Sequence, residues 1–351
     1  MKTGAIDIDR ILVTRLRFMG DIVLTTPLLQ ALRQARPDAH ITYLAEWPYI
    51  TLLEHHPAVD QTMALHRGKK GGGLAVIGQL MRRRFDTAID LFGNPRSALL
   101  TLCSGAPRRI GGDFRGRRHL YTDRIRDNGE LKSAVEFHLS YLAPLEVPAD
   151  PGDPQLFLTE EESRWAEQYL RRLGYDIEDT IVGIHPGATW PAKRWLPQRF
   201  AALAGRLTRK GAQILFTMGP GEKPLIDSVM RNCRFSVAEP ALLTLRQLAA
   251  VLKRIDLYIS NDCGPMHVAP AVDTPTLGLF GPSRPEIWFP YRREAGHRPI
   301  CKEIDCRPCD RDHCETNDCM KAITVDEVEQ AALDVLDGAP KLSPQAEQRN
   351  G

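Results

Sequence analysis

Asp150-Pro151-Gly152-Asp153-Pro154 divides the chain into two blocks. Two prolines, a glycine and two aspartates within five residues favour neither a helix nor a strand. Outward on the amino side, residues 10–16 form an apolar, β-branched strand candidate, followed by a loop at 17–20. A helical pattern then runs towards Arg36 with Leu28, Leu29 and Leu32 on one face. Pro27 either kinks this helix or stands near its start. Strand candidates at 41–44 and 87–91 alternate with helical ones at 49–55 and 96–103. On the carboxyl side a helix carries Trp165 and Leu170, and the alternation then begins afresh. Strands are expected at 180–185, 213–218, 257–260 and 276–280, with helices at 197–210 and 244–255. This pattern predicts an α/β protein with two doubly wound parallel-sheet (Rossmann-like) domains facing a cleft. The expected domains are residues 1–155 and 156–337, followed by a loose tail at 338–351.

Bulk composition agrees with two ordinary globular domains. The 351 residues are 43% hydrophobic and 26% charged, with a formal net charge of +2. That charge is too small to argue for nucleic acid, but its distribution is uneven. Residues 65–126 hold fourteen Lys or Arg against four Asp, a block that should prefer anionic partners or else form a solvated basic face. The first ten residues are polar, with no secretory pattern, and no apolar run approaches the roughly 20 residues that span a bilayer. A cytoplasmic protein is expected, able to touch the inner membrane face through its basic block.

Ligands of doubly wound sheets lie at the carboxyl ends of strands, so the loops there carry the chemistry. In His185-Pro186-Gly187-Ala188-Thr189-Trp190-Pro191-Ala192-Lys193, Gly187 allows close backbone approach, Thr189 offers a hydroxyl and Lys193 a mobile positive charge suited to phosphate. In Asn261-Asp262-Cys263-Gly264-Pro265-Met266-His267, a helix starting near Gly264 and Pro265 presents free N–H groups to an anion, and His267 can add a donor. Asp262 suits a sugar hydroxyl, or merely caps the helix. Glu222, after Gly219-Pro220-Gly221, can accept from ribose hydroxyls or simply begin a helix. Three such loops in one domain point to a nucleotide-diphosphate site. In the first domain Gly20 permits a sharp turn and Asp21 is a candidate general base or a helix cap. No Gly-x-Gly-x-x-Gly pattern follows the first strand, which argues against a dinucleotide dehydrogenase.

Four stretches together resemble the lipopolysaccharide heptosyltransferases of glycosyltransferase family nine: 11–27 (ILVTRLRFMGDIVLTTP), 90–111 (DLFGNPRSALLTLCSGAPRRIG), 185–200 (HPGATWPAKRWLPQRF) and 260–283 (SNDCGPMHVAPAVDTPTLGLFGPS). The resemblance implies a GT-B fold, an ADP-heptose donor and inversion at the anomeric carbon with no cofactor or catalytic metal. It implies a lipid A-Kdo inner-core acceptor at the inner membrane face. By position it makes Asp21 the base, and has Lys193, Thr189, Gly264, Pro265 and His267 hold the diphosphate. Asp262 would then bind the sugar and Glu222 the ribose, while Leu243 presents backbone to adenine. Arg96, Arg108 and Arg109 are expected to meet the acidic acceptor. The Cys-rich segment and the Trp-Pro-Ala-Lys-Arg-Trp loop lean towards the transferase of the second heptose.

Five of the eight cysteines crowd residues 301–319. Cys306, Cys309, Cys314 and Cys319 can be read as a structural four-thiolate zinc or iron site, or as free thiols in a surface loop. Three other functions compete with the heptosyltransferase reading. A related transferase could use another nucleotide sugar for surface glycans or protein glycosylation. A basic nucleic-acid binder would leave the donor-side loops unexplained and shows no recognition motif. A catalytically silent binder would have no use for Asp21 or Lys193.

Overall fold

The structure, a computed structural model, describes residues 9–68, 72–114, 116–148 and 152–338. Most of the expected tail, from residue 339 onward, lies outside the described residues. The first half alternates β1 (Arg10–Thr14), α1 (Met19–Val23), α2 (Thr26–Ala35), β2 (His40–Glu46), β3 (Gln61–Leu65), α3 (Gly72–Arg83), β4 (Thr87–Asp90), α4 (Pro95–Cys103), β5 (Arg108–Gly112), β6 (Asp123–Ile125) and α5 (Ala134–Leu139). All its strands are parallel, in the order β3-β2-β1-β4-β5-β6. The second half runs α6 (Glu160–Arg172), β7 (Ile181–His185), α7 (Pro197–Arg209), β8 (Gln213–Phe216), α8 (Lys223–Asn232), α9 (Leu245–Lys253), β9 (Leu257–Asn261), α10 (Gly264–Ala271), β10 (Thr276–Phe280) and β11 (Arg298–Cys301). Its parallel sheet has the order β11-β10-β9-β7-β8.

Both orders reverse direction once, between β1 and β4 in one sheet and between β7 and β9 in the other. A crevice opens at each reversal, and ligands of such sheets bind there. Alternate residues explain the layering of the first sheet. Ile11, Val13, Ile41 and Tyr43 pack under α2 and α5, whereas Leu12, Leu44 and Ala88 pack under α3 and α4. Covered on both faces, these strands are apolar almost throughout. A helix at Val325–Gly338 packs against the second sheet through Val328, Ala332 and Val335.

The single helix expected after the first strand is two. α1 ends at Val23, and α2 begins at Thr26 with Pro27 in its first turn, where the missing N–H costs nothing. Residues 49–53 wind as a short 3₁₀ helix rather than an α-helix.

The halves share a core. Met266, Phe280, Phe289 and Tyr291 of the second cluster with the apolar residues of the first. Arg246 of α9 is buried, bonding Glu162 and the carbonyls of Glu54 and Phe157. Across the connecting segment, the Gln155 N–H donates to Thr26 and the Leu156 N–H to the Ala271 carbonyl. Among the described residues no helix is long and apolar enough to cross a membrane.

Candidate active site

The loop after β1 carries the candidate base. Asp21 lies in the first turn of α1, where one carboxylate oxygen accepts from the Phe18 N–H at 3.3 Å. Its other oxygen pairs with the Arg15 guanidinium. Arg15 is fixed in turn by donating to the Leu91 carbonyl at 2.9 Å and by stacking over the Phe92 ring at 4.7 Å. That loop after β4 is held by Asp90, fully buried, which accepts from the N–H groups of Phe92 and Gly93 and the hydroxyls of Ser97 and Tyr121. Burial raises the Asp90 carboxyl above its ordinary value, against those four donors. Beneath α1, His138 meets the Leu24 carbonyl at 3.2 Å, and burial pushes the imidazole down to about 4. A neutral ring supports the helix without adding charge beside Arg15.

On the other side the loops after β7 and β9 are tied together. Asn261, fully buried at the end of β9, donates to the Pro186 and Gly187 carbonyls and accepts from the Trp195 N–H at 3.0 Å. Lys193 reaches Asp262 at 2.6 Å, with its ammonium 4.6 Å above the Trp190 ring. The same Asp262 oxygen accepts from Ser283. Asp262 is only 4% exposed, so it stands as a buried carboxylate offset by one cation. Thr189 is exposed at the rim. α10 begins at Gly264 with Pro265 in its first turn and no side-chain cap, which leaves its leading N–H free for an anion.

Glu222 folds back over Gly187. Its carboxylate accepts from the Gly219 N–H at 2.6 Å and lies 3.4 Å from the His185 ring. A buried polar chain continues from His185 to Thr217 at 3.0 Å and to Tyr258 at 2.8 Å. Burial lowers the His185 imidazole, and Glu222 opposes that shift. Leu243 lines a small recess of about 20 Å³ with Tyr169, Met218 and Leu248.

The two sides meet. A Cβ on Gly20 would fall 2.4 Å from the His267 ring, and one on Gly264 would fall 3.2 Å from Met19. Glycine at position 20 permits this approach of α1 and α10, whereas a methyl group at 264 would require Met19 to give by a few tenths of an ångström. His267 is buried and accepts or donates through Nδ1 to the Tyr291 hydroxyl at 2.9 Å. Burial pushes its imidazole down to about 4, which leaves the ring neutral at pH 7. The structure thus brings Asp21, Lys193, Asp262, Gly264, Pro265 and His267 to one crevice, with Glu222, Thr189 and Leu243 around the donor-side loops.

Arg108 and Arg109 do not reach it. They begin β5, at the edge of the sheet opposite the carboxyl ends, and their guanidinium groups brace the backbone. Arg108 pairs with Asp123 and donates to the Pro144 carbonyl, while Arg109 donates to Ala106 and Leu120. Charge alone could not tell which end of a strand these arginines occupy. Arg96 does stand at the carboxyl edge, in the first turn of α4, where Glu46 at the end of β2 holds it at 3.5 Å and Arg67 at 3.8 Å. Arg15, Asn261 and Ser283 were not singled out from sequence. Arg15 had a visible signal, a charge within the otherwise apolar run of residues 11–16, whereas Ser283 is brought in only by the fold. Cys319 is buried in the second core while Cys306, Cys309 and Cys314 are exposed; burial raises the Cys319 thiol, and the three other cysteines lie near enough to add to that shift. Among the described residues no group of three or more His, Cys, Asp or Glu side chains is arranged to hold a metal ion.

Residues 74–320 match glycosyltransferase family 9 (heptosyltransferase). Lipopolysaccharide heptosyltransferase 3 of Escherichia coli K12 is 29% identical over 291 residues, covering 79% of this chain and 83% of the relative. Lipopolysaccharide heptosyltransferase 2 of the same strain is 27% identical over 307 residues, covering 82% and 86%. The crystal structure of a family 9 glycosyl transferase from Veillonella parvula superimposes with a TM-score of 0.86 at 26% identity, covering 95% of this chain and 99% of that one. Two doubly wound sheets facing a crevice are the GT-B architecture.

Proposed function

We propose, since this chain belongs to glycosyltransferase family 9, that it moves heptose from ADP-heptose to the lipid-anchored inner core of lipopolysaccharide, at the inner face of the membrane. The half up to residue 155 takes the acceptor and residues 156–337 the donor. One observation carries the reading: the loop bearing Asp21 packs against the α10 N-terminus through Gly20 and His267. A carboxylate base thus stands beside an anion site supplied by the other half.

The chemistry follows from the charges. Asp21 takes the proton of the acceptor hydroxyl as that oxygen bonds to the anomeric carbon. The bond from that carbon to the diphosphate breaks on the opposite face, which inverts the centre, and ADP departs with the electron pair. Negative charge grows on the diphosphate, and Lys193 with the free N–H of α10 stabilises it. Asp262 holds Lys193 in place before the donor arrives and is itself placed to accept from a sugar hydroxyl. Thr189 offers a hydroxyl at the rim, Glu222 faces the ribose, and the backbone at Leu243 is assigned to the adenine, which would lie outside the small recess there. Arg96, held by Glu46, suits an acidic acceptor. None of these steps calls on a metal. A nucleic-acid binder would leave the paired crevice without a purpose. The relatives named heptosyltransferase 3 and heptosyltransferase 2 are nearly equally similar, so the position of the acceptor hydroxyl stays outside the proposal.

The test is ADP release from ADP-heptose with a heptose-deficient lipopolysaccharide acceptor. Release that requires both substrates is expected. Release only with another nucleotide sugar or another acceptor would overturn the heptosyl assignment while keeping the fold and the transfer chemistry.

A further inference from the structure

A surface helix normally turns an apolar stripe inward and a polar one outward. α6 does so: it buries Ala166 and Leu170 and carries Glu160, Glu161 and Glu162 in its first turn. α3 and α4 do not. α3 buries Val76 and Leu80 against the first sheet, yet Leu74 is 75% and Met81 65% exposed on its outer side. Leu74 and Met81 are seven residues apart, two helical turns, and therefore share a face. On α4, Leu99 and Leu102 are likewise exposed, one turn apart. Among the described residues, every large exposed apolar side chain that sits within a helix lies on α3 or α4. Single exposed leucines are ordinary, but two adjoining helices that both break the rule are not.

The charge around these helices has one sign. Residues 61–85 contain six Lys or Arg and no Asp or Glu, and residues 91–112 again contain no acid. Arg82 and Arg84 are exposed at the end of α3. An apolar face flanked by bases matches an anionic bilayer surface, where leucine and methionine enter the headgroup boundary and arginines meet phosphates. A soluble protein partner would not demand that an entire stretch lack acids. The first turns of α3 and α4 adjoin the carboxyl edge of the first sheet, where the crevice lies, and Met81, Arg82 and Leu102 extend the face towards the opposite edge.

We propose that the outer face of α3 and α4 docks on an anionic lipid bilayer and thereby presents the crevice to a lipid-anchored acceptor. The acceptor clause rests on the heptosyltransferase reading, whereas docking itself does not.

The experiment is flotation of the full chain with vesicles of phosphatidylethanolamine and phosphatidylglycerol, beside vesicles of phosphatidylcholine alone. Binding to the anionic vesicles is expected, weakened roughly tenfold or more by Leu74→Glu with Met81→Glu and separately by Arg82→Glu with Arg84→Glu. Both double variants should keep wild-type thermal midpoints and full ADP release with a delipidated acceptor, but lose rate on acceptor embedded in anionic vesicles. No binding to either vesicle, equal binding to both, or binding that neither variant weakens would overturn the proposal. So would concentration-dependent self-association that Leu74→Glu with Met81→Glu abolishes in place of vesicle binding. Vesicle docking without ADP release on any acceptor would leave the docking face standing and discard the transferase assignment instead.

Discussion

The two sides of the crevice hold their charges differently. On the donor side, Lys193 is paired with Asp262 and Glu222 with His185, and Asn261 ties the β7 and β9 loops, all within one half. On the acceptor side Asp21 is paired with Arg15, but the helix carrying it leans on the other half through Gly20 and Met19. The proposed donor side thus makes its charge pairs within its own half, while the proposed base sits on a helix whose contacts cross to the α10 start of the other half. Damage to one side should change donor binding, and damage to the other should change only the chemical step.

The largest expected effect is at Asp21. Asp21→Asn retains an acceptor for the Phe18 N–H but cannot take a proton, and kcat should fall about 10³-fold, within the usual range for a general base. Donor affinity should stay within about twofold, measured by calorimetric titration of ADP. A parallel loss of ADP affinity would place Asp21 on the donor side and end the contrast. Lys193→Met comes next, with a loss of about 10²-fold in kcat and weaker ADP binding together. Part of that loss should come from Asp262, left buried with no cation beside a bound diphosphate. Lys193→Met combined with Asp262→Asn should therefore bind ADP more tightly than Lys193→Met alone. Additive losses would show that the two residues act separately.

What the sequence disclosed follows the same division. The strands of both sheets that line the crevice were legible because burial on both faces makes them short apolar runs with turn residues after them. β3, β5, β6 and β11 were not, since Gln61 and Thr62 open the first, β5 has one apolar side chain among two arginines and two glycines, β6 is three residues long and Pro299 interrupts the last. α3 was hidden by the glycines at 71–73 around its start and by the arginines at 82–84 around its end, which read as a charge block. Site residues next to glycines in strand-end loops were visible one at a time. Their pairings were not, because the Lys193–Asp262 and Arg15–Asp21 contacts depend on how loops fold back, which no local pattern records. Arg108 and Arg109 show the converse error, in which charge was legible and location was not.

Glycine contacts sharpen the comparison at smaller magnitude. Gly20→Ala places a methyl group 2.4 Å from a histidine ring that Tyr291 holds in position, so either the ring or the two halves must move. About 1–3 kcal/mol of stability should be lost, and kcat should fall about tenfold or more as Asp21 is displaced. Gly187→Ala drives a methyl group into the Glu222 carboxylate, wholly inside the donor half. It should raise the KM for the donor with little change in kcat at saturation. The same kinetic signature in both variants would erase the distinction between an interface-held base and a self-contained donor site.

Protonation gives the smallest effect per residue and tests whether the halves unfold as one. Burial pushes His56 and His138 of the first half, and His267 and His297 of the second, each down to about 4. In the unfolded chain they titrate near about 6.5. Between those values the unfolded state binds more protons, so the stability from each neutral ring is complete above about 6.5 and lost as pH falls towards 4. One histidine contributes up to about 1.4 kcal/mol per pH unit in that window. Urea midpoints should hardly move from pH 8 to 7 and should drop from pH 6.5 to 5. With the shared core of Met266, Phe289 and Tyr291 intact, fluorescence and circular dichroism should report one transition at every pH. Replacing His138 with Gln should flatten the acid slope of that single transition by one histidine's share. Were the halves independent, two transitions would separate on acidification and His138→Gln would flatten only the one from the acceptor side, which would mean that the Gly20 contact positions the base without coupling the folds.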